Sequence, residues 1–247
     1  MKRIIQVTGF ILLVLLYHSI VSAETSPQEI LAHADHARGN VSGIEWVIHM
    51  ESIEGNRQNE SDLIIKARGN NSLAEFINPP KSKGQKILMI DRNMWFIRPG
   101  LKKPVPISPR QKLMGGAANG DIASTDYAGD YEAQSITEEI VNGDLCYVLD
   151  LKSIKKNTTY DRIKYWVSKN KMVGVKADFF TISGKLFKSA VFEYGNSIRS
   201  GDYSRPFISR MVITDAVMND HVTTMTYSKV ILEDVPDSTF NLNLLRR

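Results

Sequence analysis

The sequence predicts a mainly β protein, with one amphipathic helix followed by roughly a dozen antiparallel strands in a meander. Two observations carry this. Apolar residues recur at every second position in short runs along most of the chain, as in Ile44, Trp46, Ile48 and Met50, the period at which a strand presents alternate side chains to one face. The runs are separated by turn-forming residues, so consecutive strands join as hairpins.

The helix comes first. Ser26-Pro27-Gln28-Glu29 is a capping box with proline at the first helical position; Ile30, Leu31, Ala34 and Ala37 follow at helical spacing, and Gly39 ends the element. Strands are then expected from Ile44 and near 61–68, 72–78, 85–91 and 94–98. They resume at about 132–141, 144–151, 160–168, 172–181, 186–195, 206–214 and 221–231. Glu54-Gly55-Asn56, Asn142-Gly143-Asp144, Ser168-Lys169-Asn170 and Ser183-Gly184 supply turns between them. The interval 99–131 stands apart. Six of the nine prolines fall between Pro79 and Pro109, and Gly115, Gly116 and Gly120 follow, which predicts an extended loop leading into short helices at 108–114 and 124–131.

Several strands are apolar on both phases: Ile87-Leu88-Met89-Ile90, Met94-Trp95-Phe96-Ile97, Phe179-Phe180 and Leu186-Phe187. A sheet of a dozen strands has two faces, and few helical turns are available to cover them. Either some of these residues face an apolar cavity, or they fill the middle of a closed barrel or pack under loops.

Composition narrows the class. The chain has 247 residues, a formal charge of +4, 43% hydrophobic and 23% charged residues, ordinary globular proportions that argue against disorder, coiled coil or collagen. Lys2 and Arg3 precede an apolar run from Phe10 to Leu16 and then Val21-Ser22-Ala23. This is the pattern of a secretory signal peptide over residues 1–23, too short for a membrane span. The expected mature chain, 24–247, is one exported domain. Its charge falls to +2, because two of the 31 basic residues leave with the leader and all 27 acidic ones stay, which excludes a strongly basic nucleic-acid footprint. Cys146 is the single cysteine, so no intramolecular disulfide forms, and no cysteine stands at the cleavage site to carry a lipid anchor.

A search for chemistry finds no Walker loop, G-x-S-x-G, H-E-x-x-H or C-x-x-C, and no cofactor, metal or enzymatic activity is expected. His33 and His36 lie three apart on the first helix and read as a solvated face. Cys146, between Leu145 and Tyr147, reads as a small buried hydrophobe. Asp121 and Asp126 lack the ligand spacing of a calcium loop, and Asp121 or Ser124 is expected to cap a helix. Lys102-Lys103, Lys155-Lys156 and Arg246-Arg247 read as solvated pairs, with contact to an anionic membrane surface or a partner as the alternative.

Taken in order, Trp95-Phe96-Ile97-Arg98-Pro99, Ile107-Ser108-Pro109-Arg110-Gln111-Lys112, Asn119-Gly120-Asp121-Ile122-Ala123, Asp126-Tyr127, Asp130-Tyr131, Cys146-Tyr147-Val148-Leu149, Tyr160 with Tyr165-Trp166-Val167, Ser183-Gly184-Lys185-Leu186 and Asp237-Ser238-Thr239-Phe240 resemble the LolA/LolB superfamily of periplasmic lipoprotein carriers. The branch they resemble is that of the outer-membrane lipoprotein-sorting proteins. The resemblance implies an open antiparallel half-barrel of about eleven strands, with an N-terminal helix and short mid-chain helices as a lid over a concave apolar face. It implies a monomeric carrier that takes acyl chains of lipoproteins or lipids from an inner-membrane exporter to an outer-membrane acceptor. The alternative is a lipid-binding sensor or accessory subunit; such regulators usually add a second domain, and none is read after the last strand. The candidate lipid-binding residues are Trp46, Met89, Trp95, Ile97, Phe179 and Phe187 on strands, and Leu113, Met114 and Ile122 in the lid, with Gly115, Gly116 and Gly120 as its hinge.

Overall fold

The computed structural model describes residues 25–200 and 203–245; the expected leader lies outside them. Helix α1 (Pro27–His36) starts at Ser26, whose side chain accepts from the Glu29 backbone N–H while the Glu29 carboxylate accepts from the Ser26 N–H. It buries Ile30, Leu31 and Ala34.

Seventeen strands are described. The first group is β1 (Ile44–Glu54), β2 (Arg57–Arg68), β3 (Asn71–Asn78), β4 (Lys86–Ile90), β5 (Asn93–Ile97) and β6 (Val105–Ile107). A small hairpin of β7 (Lys112–Met114) and β8 (Ala117–Ala118) leads through a 3-10 turn (Asn119–Ile122) to the single-turn helix α2 (Tyr127–Asp130). Then come β9 (Tyr131–Val141), β10 (Asp144–Ser153), β11 (Arg162–Ser168), β12 (Gly174–Phe180) and β13 (Leu186–Glu193). A second small hairpin, β14 (Asn196–Ser200) and β15 (Tyr203–Phe207), precedes β16 (Arg210–Asp215) and β17 (Val222–Leu232).

Thirteen of these strands form one antiparallel sheet in the order β6-β5-β4-β3-β2-β1-β17-β16-β13-β12-β11-β10-β9. It is a meander interrupted once, where the chain returns from β17 to pair with β1 over Ile44–Ile53. The ends of that order, β6 and β9, are not bonded to each other, so the sheet curls into an open half-barrel. Thirteen strands replace the eleven implied by the resemblance. Among the described residues, no helix is long and apolar enough to cross a membrane.

The mid-chain segment departs from expectation. Residues 108–114 are not a helix: Pro109 occupies a turn closed by a hydrogen bond from Gln111 N–H to Ser108 C=O (3.1 Å), and the Gln111 side chain accepts from the Ser108 N–H (2.9 Å). That side-chain closure, with Gly115 at φ +55 just beyond, favours turn and hairpin over helix. The second expected helix shrinks to α2, capped by Asp126, which accepts from Gly129 N–H.

The doubly apolar strands have a simple cause on one half of the sheet. In β4 and β5, Ile87, Met89, Met94 and Phe96 face the concave core. Leu88, Ile90, Trp95 and Ile97 face outward, where Val235, Phe240, Leu242 and Leu245 of the C-terminal segment cover them. Arg68 ties that segment down by donating to Val235 C=O (2.8 Å) and pairing with Asp237.

Candidate functional site

The inner face of the half-barrel is lined by alternate residues of every central strand, among them Trp46, Ile48, Leu63, Ile65, Tyr165, Phe179, Phe192 and Met211, all buried. Two things fill it. Helix α1 lies across the end where β1 begins, and the segment 108–131 straps across the rest. The opposite end, where the β1–β2, β10–β11, β12–β13 and β16–β17 turns gather, is the mouth.

The strap is held by polar anchors from both sides of the sheet. Gly116 N–H donates to Thr223 Oγ1 on β17 (2.7 Å), and Gly116 C=O accepts from Lys188 Nζ on β13 (2.6 Å). Lys188, only 5% exposed, also lies 3.2 Å from the Asp121 carboxylate. Asp121 in turn accepts from Tyr160 OH (2.7 Å) and from the Ala118 N–H (2.8 Å). It therefore reaches back from inside the 3-10 turn to the N–H of Ala118, the residue before the turn, where a helix cap was expected, and α2 is capped by Asp126 instead. Ser124 does not cap a helix: its hydroxyl donates to Gly69 C=O (2.6 Å), in the β2–β3 turn. Arg92 pairs with Asp130 (2.8 Å) and Asp126 (3.6 Å). Near the mouth, Lys112 pairs with Glu54 (2.5 Å), and Arg110 grips both carboxylate oxygens of Asp161 (2.8 and 2.7 Å).

Glycine is required where the strap touches the sheet. A Cβ on Gly115 would lie 2.1 Å from Thr223 Oγ1, and one on Gly120 would lie 2.0 Å from Thr159 Oγ1, far inside contact distance. The first glycine thus permits close approach of the strap backbone to β17, and the second to the β10–β11 turn.

Beneath α1 lies a second polar contact. The Asp35 carboxylate accepts from the Ala128 N–H (2.9 Å) and is buried. Burial pushes its pKa up to about 7, against the pull of the Ala128 and Tyr127 backbone N–H groups. Arg38 is buried nearby, with its guanidinium over the rings of Phe192 (4.7 Å) and Tyr127 (5.4 Å).

At the mouth, the β7–β8 hairpin divides the unfilled part of the concave face into two cavities. The first, about 830 Å³, lies toward β1–β5; its apolar wall is Met50, Phe76, Ile87, Phe96, Leu113 and Met114, and its rim is polar, with Gln58, Glu60, Lys81 and Lys112. The second, about 690 Å³, lies toward β11–β13 and is walled by Ala117, Ala118, Tyr160, Phe180, Ile182 and Phe187, with Lys188 at its side. Both volumes fall in the range of about 300–1,000 Å³ usual for small-molecule sites.

Of the residues singled out from the sequence, Leu113, Met114 and Phe187 line these cavities. Trp46, Met89, Ile122 and Phe179 face the same concave side but are fully packed in its core. Trp95 and Ile97 are corrected to the outer face, beneath the C-terminal segment, because β5 turns Met94 and Phe96 inward. Phe76, Phe96, Tyr160 and Phe180 were not anticipated. Nor were the charged anchors, although Lys188 shares its phase with Ala190 and Phe192, and a lysine on the inward phase of a strand signals a buried partner.

Cys146 is buried beside Val148 and Trp166 on the outer face, and burial pushes its thiol pKa up. His33 is exposed and His36 half-buried, with ring centroids 6.4 Å apart. No cluster of three metal-ligating side chains occurs among the described residues.

Comparison with known proteins gives three related folds. A LolA superfamily protein from Nitrosomonas europaea is 30% identical with a TM-score of 0.78, over 88% of this chain and 98% of that one. A putative outer membrane lipoprotein-sorting protein domain from Vibrio parahaemolyticus is 22% identical with a TM-score of 0.74, over 89% and 98%. A DUF1329 family protein from Desulfovibrio piger is 20% identical with a TM-score of 0.73, over 88% and 97%; the last two show the fold alone. A family model described as "-like: Uncharacterized protein" matches residues 68–247. None of the curated proteins matches the chain.

Proposed function

The chain belongs to the LolA superfamily, and from that premise we propose that it is a periplasmic carrier that shelters the acyl chains of lipoproteins or lipids between the inner and outer membranes. The observation that carries the reading is the pair of cavities opening at the mouth on either side of the β7–β8 hairpin, the first an apolar wall beneath a polar rim and the second mainly apolar. An acyl chain in water is costly: at about 0.8 kcal/mol per methylene, sixteen carbons represent roughly 12 kcal/mol. A carrier has to offer comparable burial and still release its load, so one wall of the site has to move.

The hairpin suits that role. Its strands bond to each other and not to the main sheet, and it rests on the sheet through Thr223 and Lys188. Leu113 and Met114 face one cavity, Ala117 and Ala118 the other. A shift of this hairpin enlarges either space at the expense of the other. The mobile lid of this reading is therefore 112–118 and not the whole of 108–131, because Asn119, Asp121, Ile122 and Ser124 beyond the hairpin are buried.

The leader read in residues 1–23 would deliver such a carrier to the periplasm, to accept cargo from an inner-membrane exporter and pass it to an outer-membrane acceptor. Mass spectrometry of lipid extracted from protein purified out of its native periplasm tests the reading. Acylated species in stoichiometric amount are expected, and protein free of any acylated molecule under mild extraction would count against it.

A further inference from the structure

Five of the six turns at the mouth, all but the uncharged β1–β2 turn, share a chemistry that the cavities alone do not explain. They are residues 79–85, 98–104, 154–161, 181–185 and 216–221, joining β3 to β4, β5 to β6, β10 to β11, β12 to β13 and β16 to β17. Together they carry eight lysines and arginines against two aspartates. One of those aspartates, Asp161, is already held by Arg110. The far end of the sheet has no such excess: its turns at 91–92 and 169–173 hold Arg92, Lys169 and Lys171 against Asp91, and the segment after β17 adds Glu233, Asp234 and Asp237.

Most of these turns also expose aliphatic side chains. Leu101, Ile154, Ile182, Val217 and Met218 are all exposed, with Ile182 at 84% and Val217 at 69%. Four of the five turns contribute, so these are separated tips and not one contiguous patch. Single aliphatic groups at the ends of several hairpins, set among lysines, fit a flat surface that is apolar at shallow depth and anionic on top. A protein groove would favour a continuous apolar patch instead. Ile182 also lies on the lip of the second cavity and shares an adjoining concavity of about 730 Å³ with Lys152, Lys155 and Lys156. The tips and cations thus border the space into which an acyl chain would pass.

We propose that the mouth of the half-barrel docks directly on an anionic lipid bilayer, with Ile154, Ile182, Val217 and Met218 entering the interface and the lysines of 102–103 and 155–156 resting on the headgroups. Docking in this orientation presents the cavities to the membrane, and so extends the carrier reading by placing loading or unloading at a lipid surface.

Flotation with cargo-free vesicles tests it, so that its failure is distinct from failure of the cavities to hold acyl chains. At low salt the purified protein should float with phosphatidylcholine–phosphatidylglycerol vesicles and far less with phosphatidylcholine alone. Each exposed lysine near such a surface carries about a fivefold factor in affinity. K155E/K156E should therefore weaken binding by at least tenfold, and I182S/V217S/M218S should weaken it at unchanged salt dependence. K171E, in the β11–β12 turn at the far end, should leave it unchanged. All these positions are exposed turn residues, and circular dichroism confirms the fold of each variant. No flotation of the parent protein with anionic vesicles, or an equal loss with K171E, would overturn the proposal.

Discussion

Lys188 and Asp121 form a buried ion pair, Nζ to Oδ2 3.2 Å, that joins strand β13 to the strap across the concave face. The ammonium also donates to Gly116 C=O, and the carboxylate also accepts from Tyr160 OH and the Ala118 N–H. One contact thus fixes both the hairpin and the 3-10 turn behind it, at the boundary of the second cavity.

Removing one partner of this pair leaves the other charged and buried. Lys188→Met should destabilise the fold by about 3–5 kcal/mol, read as a lowered urea midpoint. Lys188→Met with Asp121→Asn should recover much of that loss, since the neutral amide keeps its oxygen for the Ala118 N–H. A double variant as unstable as the single one would show that packing of the lysine stem, and not charge, is what matters here.

Contact geometry sets the response at the strap's glycines. Gly115→Ala combines a left-handed φ, costing roughly 1–2 kcal/mol for an L residue, with a Cβ driven into Thr223 and Ser52, for which overpacking adds about 1–3 kcal/mol. Gly55→Ala shares the left-handed φ (+59) but has open space around its Cβ, so it should show the first cost alone. Equal thermal shifts for the two variants would contradict the close approach.

The buried carboxylate of Asp35 makes stability depend on pH in a definite direction. Its pKa is raised from 3.8 to about 7 in the folded chain, so between those values the folded state holds a proton that the unfolded state has lost. Asp35 therefore lowers stability progressively from about pH 4 to pH 7, and by a constant amount above that. Asp35→Asn keeps an acceptor for the Ala128 N–H without the charge. Its gain in melting temperature should be small near pH 4.5, larger at pH 7 and level beyond. A gain independent of pH would refute the assignment.

How the chain reveals itself varies along its length. The β14–β15 hairpin escaped the reading, but the capping box at Ser26–Glu29 and the alternation in β1, β2, β9 to β13, β16 and β17 were legible because each rests on local chemistry that the fold then uses unchanged. The strap was not. Ser108-Pro109-Arg110-Gln111 carries residues common to helix starts and to turns alike, and what decides between them is contact with Thr223, Lys188 and Thr158, far away in sequence. The two faces of β4 and β5 were equally hidden, because both phases are apolar and only the return of Val235 and Phe240 across the outer face tells them apart. Alternation gives the phase of a strand but not which phase is concave. That is why Trp95 and Ile97, read as lining the site, lie outside it, while Phe96 between them lines the first cavity.

Hydrogen exchange should rank the parts of the strap. The hairpin 112–118 should exchange fastest, since it borrows no hydrogen bond from the main sheet beyond its side-chain anchors. Residues 119–131, packed against Tyr160, Ser72 and α1, should be protected like the sheet. Uniform protection across 112–131 that a bound acyl chain does not alter would make the hairpin a fixed plug and not a moving wall.

The central claim is that the space beside the hairpin holds acyl chains, and titration of delipidated protein with a fluorescent fatty-acyl probe tests it most directly. Saturable binding at micromolar or lower probe concentration is expected, weakened by Ala118→Trp, which fills the second cavity, or by Leu113→Trp, which fills the first. The cavity whose filling abolishes binding is the cargo site. Absence of saturable binding in the parent protein, or binding indifferent to both substitutions, would contradict the account.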